Sequence, residues 1–154
     1  MANHIYIYCR SSVALEYRDV VERIELSYFD DCAIDPPDVG AQRSRTDWTG
    51  FNVRYDTAKQ PIRVERITAK SELDELVLEA LERIDENTEQ NMETLKTRMR
   101  ETRQAFHVEF GEISDEAWEM LDDLEMVLAH KLDGVIGAFE GFYDAGLGPI
   151  VTWE

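Results

Sequence analysis

Residues His4 to Cys9 put Ile5, Ile7 and Cys9 on one side of an extended chain and Tyr6 and Tyr8 on the other. Both faces of the segment are largely apolar, which suits a central strand. Everything downstream has to be arranged around it. Ser11 or Ser12 is placed to cap a helix, and Val13, Tyr17, Val20, Val21, Ile24 and Tyr28 then recur at steps of three and four. From Asp30 to Asp47 the pattern dissolves into turn chemistry, Asp35-Pro36-Pro37-Asp38 and Gly40, which predicts a long surface loop.

A hairpin follows. Phe51, Val53 and Tyr55 alternate with polar residues, as do Ile62 and Val64, and Pro61 sits where a strand tolerates a missing N–H. Ser71-Glu72-Leu73-Asp74 reads as a capping box for a helix with Leu73, Leu76, Val77, Ala80, Leu81 and Ile84 on its buried stripe. Residues 85–91 are wholly polar, and the apolar steps resume at Met92, Leu95 and Met99. The segment 71–103 is therefore one long helix or two with a break. Phe106, Val108 and Phe110 mark a further half-buried strand. Ser114 opens a third helix with Ala117, Leu121, Leu124, Leu128 and Leu132 inward, and Gly134 is placed to end it. The glycine-interrupted tail reads as one or two bent strands around Asp144-Ala145-Gly146.

This order is β-α-β-β-α-β followed by α-β-β. It predicts one α+β domain over residues 1–154, with an antiparallel or mixed sheet and helices packed on it. The first six elements match the split-βαβ, ferredoxin-like order, in which helices cover one face. A chain of 154 residues buries roughly 70% of its unfolded surface and needs no disulfide or metal staple. Cys9 reads as a small buried hydrophobe, and Cys32, set among Asp30, Asp31 and Asp35, as a poor nucleophile. No apolar run approaches the ~20 residues of a membrane span, and the start lacks a signal-peptide pattern. The expectation is a soluble, cytoplasmic protein.

Charge narrows the function classes. The formal net charge is -17, and residues 105–154 hold 12 acids against one base, Lys131. Such a field repels phosphate backbones, so nucleic acid is disfavoured as a partner and a basic protein surface favoured. Acidity that serves only solubility, or a salt-loving or GC-rich source, is the other reading.

Motifs for known chemistries are sparse. There is no phosphate loop, dinucleotide fingerprint or nucleophile elbow, and no cofactor is expected. His4, His107 and His130 show no metal-ligand spacing, and no metal site is expected from them. His107, with Glu109 beside it and Glu112 following, is the candidate pair for an enzyme without a familiar motif. Tyr8-Cys9-Arg10-Ser11-Ser12 resembles the Tyr-x-Arg-x-Ser signature of serine recombinases. That resemblance implies an arginine and a serine acting at a scissile phosphate. It covers these residues alone, and the surroundings turn acidic. Asp30, Asp31, Asp35 and Asp38 cluster in a loop but lack the spacing of a calcium-binding loop.

The third helix carries the most specific surface. Asp115, Glu116, Glu119, Asp122, Asp123 and Glu125 place six acids within about three turns. Their mutual repulsion would be relieved by a basic partner. The sequence thus points to a non-catalytic binding protein, such as an immunity protein or inhibitor of a cationic partner. Asp115, Glu116, Glu119, Asp122 and Asp123 are its partner-binding residues, and no catalytic residue is assigned. The alternatives are the His107/Glu109 enzyme and an oligomeric module, with a homodimer built through the helical region 71–103.

Overall fold

A computed structural model describes residues 3–27 and 33–153. Tyr28, Asp30, Asp31 and Cys32 lie outside the described residues. Among the described residues, eight antiparallel strands form one sheet: β1 (Asn3–Cys9), β2 (Ala33–Asp35), β3 (Gly50–Arg54), β4 (Ile62–Ile67), β5 (Gln104–Phe110), β6 (Gly134–Ala138), β7 (Gly141–Tyr143) and β8 (Pro149–Thr152). Their spatial order is β2-β3-β4-β5-β1-β6-β7-β8. The α-helices of the described residues are α1 (Tyr17–Ser27), α2 (Lys70–Asn87), α3 (Glu93–Arg100) and α4 (Asp115–Leu132). No helix among the described residues is long and apolar enough to cross a membrane.

The apolar first segment is a central strand, β1, flanked by β5 and β6. Ile5, Ile7 and Cys9 point into a core closed by α1 and α4, where Tyr17, Val20, Val21, Ile24, Leu121, Leu124 and Leu128 are buried. Trp48 joins this core against Tyr17, Phe51 and Phe106, and its Nε1 donates to the Leu15 carbonyl at 2.9 Å. Tyr8 points to the opposite face, into a second core of Ala80, Ile84, Leu95, Met99, Val135, Phe142 and Val151. Helices therefore lie on both faces rather than one. The sequence of β1 required this, because neither of its faces could be left in water.

The ferredoxin-like order is not what the strands adopt. In that order β1 would separate β4 from β5; here β4 pairs directly with β5, and β1 lies beyond. The reason is the break after Asn87. A single helix would return the chain to the start of β4 and force a parallel strand, whereas two helices return it to the end of β4, ready to run back antiparallel. Thr88 and Asn91 make that break: Thr88 Oγ1 accepts from Gln90 N at 3.1 Å, and Asn91 Oδ1 from Glu93 N at 3.1 Å. A split crossover does occur later. β5, α4 and β6 straddle β1, with β5 and β6 parallel to one another.

Local details also differ from the sequence pattern. Helix α1 begins at Tyr17, not after Ser12; Ser11 Oγ instead accepts from Val13 N at 3.2 Å, and Val13 is exposed. The proposed capping box fails because α2 starts before Ser71, at Lys70, with Ala69 as an unassisted cap. Ser114 does cap α4, accepting from Ala117 N at 3.2 Å. That helix ends on Asp133, at φ 54°, not on Gly134. Asp133 tolerates the left-handed backbone while its carboxylate bonds Arg10 and Arg98. Gly134 opens β6, where a Cβ would lie 3.1 Å from Ile7 and 3.2 Å from the Ala129 backbone. The tail forms three strands among the described residues, not the one or two expected.

Candidate functional site

Helix α4 is held by its apolar stripe, and all five inward positions read from the sequence are buried. With 3.6 residues per turn, the acids occupy roughly half of the remaining circumference. Asp115, Glu116, Glu119 and Asp122 are exposed, and Asp123 is half-buried. They do not form one uniform patch. Asp123 turns toward α1 and lines a shallow depression with Asp19, His130 and Lys131. Asp122 turns the other way, toward β6 and β7.

On that second side lies the feature that the sequence hid. Glu125 belongs to the acidic set by spacing, yet it is only 2% exposed. It sits at the border of the apolar stripe, and its Oε1 has no hydrogen-bond partner among the described residues. It lines a pocket of about 230 Å³ with Ile5, Trp118, Asp122, Glu140 and Tyr143. Burial, and then the nearby charges of Asp122 and Glu140, push the Glu125 carboxyl up to about 8. Asp122 is also raised, by partial burial first and then by Asp123 and Glu119. The wall opposite is ordered by Tyr143, whose hydroxyl lies 3.1 Å from Glu140 Oε1. Trp118 stands at the rim, 41% exposed, its ring edge-on to Phe110 at 5.0 Å. The arrangement is an acid-walled slot with an aromatic edge. It offers an unpaired buried oxygen to a hydrogen-bond donor and a negative field to a cation.

The other sequence candidates fall elsewhere. His107 lies on the sheet face away from α1 and α4, stacked on Tyr6 at 4.6 Å and 9°. Its expected partner was Glu109, but its Nε2 lies 2.8 Å from His4 Nδ1, and its Nδ1 lies 3.9 Å from Glu65 Oε2. Partial burial, and then the neighbouring His4, lower the His107 pKa; Glu65 and Glu109 oppose the shift. No signal in the sequence joins His4 to His107, which are 103 positions apart. Arg10 is held by Asp133 at 2.7 Å and by Glu101 at 3.6 Å. Arg100 and Arg103 stand beside it around an open depression at the same sheet end. Asp38 pairs with Arg43 at 3.4 Å, and Asp35 lies in edge strand β2, so the described members of the acidic loop do not converge.

The stripe on 71–103 that suggested a partner helix is already covered. Leu95 and Met99 are buried against Ala80 and Ile84 of the same chain.

No family model, no curated protein and no solved structure matches this chain. What the site does has to follow from its own side chains.

Proposed function

We propose that this is a binding protein that receives a basic protein partner on the acidic side of α4 and seats one lysine or arginine side chain in the Glu125 slot. The observation that carries the reading is Glu125: a carboxyl 2% exposed, with an unpartnered oxygen, at the wall of an open pocket. A buried acid without a partner costs stability, and a charged donor arriving from outside supplies the missing partner. Asp122 and Glu140 add charge around the entry, and Trp118 offers an exposed ring to the stem or, over its face, to the charge of the incoming side chain. The remaining exposed acids, Asp115, Glu116 and Glu119, extend the negative field along the helix and would speed encounter. An inhibitor or immunity protein against a cationic toxin or nuclease is the kind of protein this describes.

The test uses hexa-arginine and hexa-lysine peptides as probes, titrated calorimetrically at low and high salt. Binding that weakens with salt, and that falls at least tenfold in Asp122→Lys/Asp123→Lys and in Glu125→Gln, supports the reading. Equal loss from Glu72→Lys/Glu75→Lys on α2 would reduce it to diffuse charge. Self-association lost on mutating Arg100 and Arg103 would replace the foreign partner with a second copy of the chain.

A further inference from the structure

We propose that His4, His107 and Glu109 form a binding site for a borderline-soft divalent transition ion, Zn²⁺ being the type case, with Glu65 orienting His107 from behind. The three donors come from two neighbouring strands and share one sheet face. His4 and Glu109 are direct cross-strand partners, and His107 lies two residues along β5, opposite Tyr6. One ligand atom from each lies within 4.8 Å of the others. Donors fixed on paired strands need little reorganisation to converge.

The spacing of the two imidazoles is informative. His4 Nδ1 and His107 Nε2 are 2.8 Å apart, so a single N–H must lie between them. Two ring nitrogens held this close accommodate either one proton or one metal ion. At M–N bonds of about 2.0–2.1 Å, a tetrahedral ion sets its nitrogens about 3.3 Å apart. Opening the pair by about half an ångström suffices, and His4, exposed near the start of β1, can turn to allow it. On binding, the shared proton leaves the gap: His4 carries its N–H on Nε2, toward solvent, and both facing nitrogens present lone pairs.

Glu65, on β4, is the direct cross-strand partner of His107 and approaches its Nδ1, the nitrogen that remains free to donate. A carboxylate behind a ligating histidine is the usual orienting partner. The Tyr6 ring, stacked on the face of the imidazole, fixes its plane. Two nitrogens and one carboxylate suit Zn²⁺, Co²⁺ or Ni²⁺ rather than Mg²⁺ or Ca²⁺, which need more oxygens. A fourth position faces solvent and would take water.

The experiment uses the full chain after chelator treatment, with Zn²⁺ and Co²⁺ alone as probes. The expected result is one equivalent of Zn²⁺ bound and a four-coordinate Co²⁺ visible spectrum. His4→Gln and His107→Gln should each weaken Zn²⁺ at least 100-fold, and Glu65→Gln about tenfold. Asp122→Asn/Asp123→Asn should leave binding unchanged, separating this site from the acidic face. Because His4 is exposed, its variant tests the site without threatening the fold. A six-coordinate Co²⁺ spectrum, undiminished binding in His4→Gln, or Zn²⁺ shifts confined to α4 amides would overturn the site. The pair would then be two histidines sharing a proton and nothing more.

Discussion

The two faces of the sheet are built differently. Under α1 and α4 the strands carry an unbroken apolar surface, from Ile34 and Val53 at one edge through Val64, Val108 and Ile7 to Ile136. Under α2 and α3, among the described residues, the covered apolar cluster takes in β1 through Tyr6 and Tyr8 and the strands β6 to β8. Arg83 secures that cover, donating to the Ala138 carbonyl at 2.6 Å and lying over the Phe142 and Trp153 rings. Beyond its reach the second face turns polar, with His4, His107, Glu109, Glu65 and Arg63. The closed face buries the larger apolar cluster, and the half-open face leaves its polar side chains within reach of solvent. Glu125 is the exception, an acid placed at the border of the closed face.

The contrast can be broken most sharply on the closed side. Leu121→Ala, at a fully buried position, should cost about 4 kcal/mol in urea unfolding. A cost under about 1 kcal/mol would mean that the α4 core is not the main one.

The acid at the border of the closed face makes stability depend on pH. Its carboxyl titrates near 8 in the fold against an ordinary 4.5, so the folded state holds the proton more tightly. The stabilisation is complete below about pH 4.5 and is lost as pH rises through about 8. Glu125→Gln should remove this slope and gain about 3 kcal/mol relative to the parent between pH 5 and pH 8. Parallel stability curves for the two proteins would show that Glu125 is not buried as an acid.

Ile84→Ala in the smaller second core should cost about 2 kcal/mol, less than Leu121→Ala. The reverse ranking would make the half-covered face the dominant one. Ser114→Ala removes the cap of α4 and should cost about 1 kcal/mol, measured the same way. The smallest effect concerns the open face: by NMR, His107 should titrate below an ordinary histidine, and His4→Gln should raise its pKa. Since the folded pKa is the lower one, stability from this group is lost as pH falls below the unfolded value. A normal His107 titration would place it in full solvent, apart from His4.

Much of the fold follows from local pattern. Alternation located β3, β4 and β5, and steps of three and four located the buried side of α1 and α4. The Ser114 cap was legible because capping is a contact three residues long. The break near 88–92 showed as a polar run, but its consequence did not. Whether one helix or two joins β4 to β5 decides which strand lies beside β4, and a run of polar residues does not say which way a chain turns.

The order of residues along the chain dictates that β1 is central, that α4 is buried on its leucine stripe, and that negative charge collects in the last third of the chain. Each rests on periodicity or composition, which are properties of neighbours along the chain. Packing brings His4 to His107, sets Glu65 behind it, and buries Glu125 while leaving Asp122 exposed. The first two depend on the pairing of β1 with β5 and of β5 with β4, across long separations. The last depends on where β6 and β7 come to lie against α4, and no spacing within the helix records that.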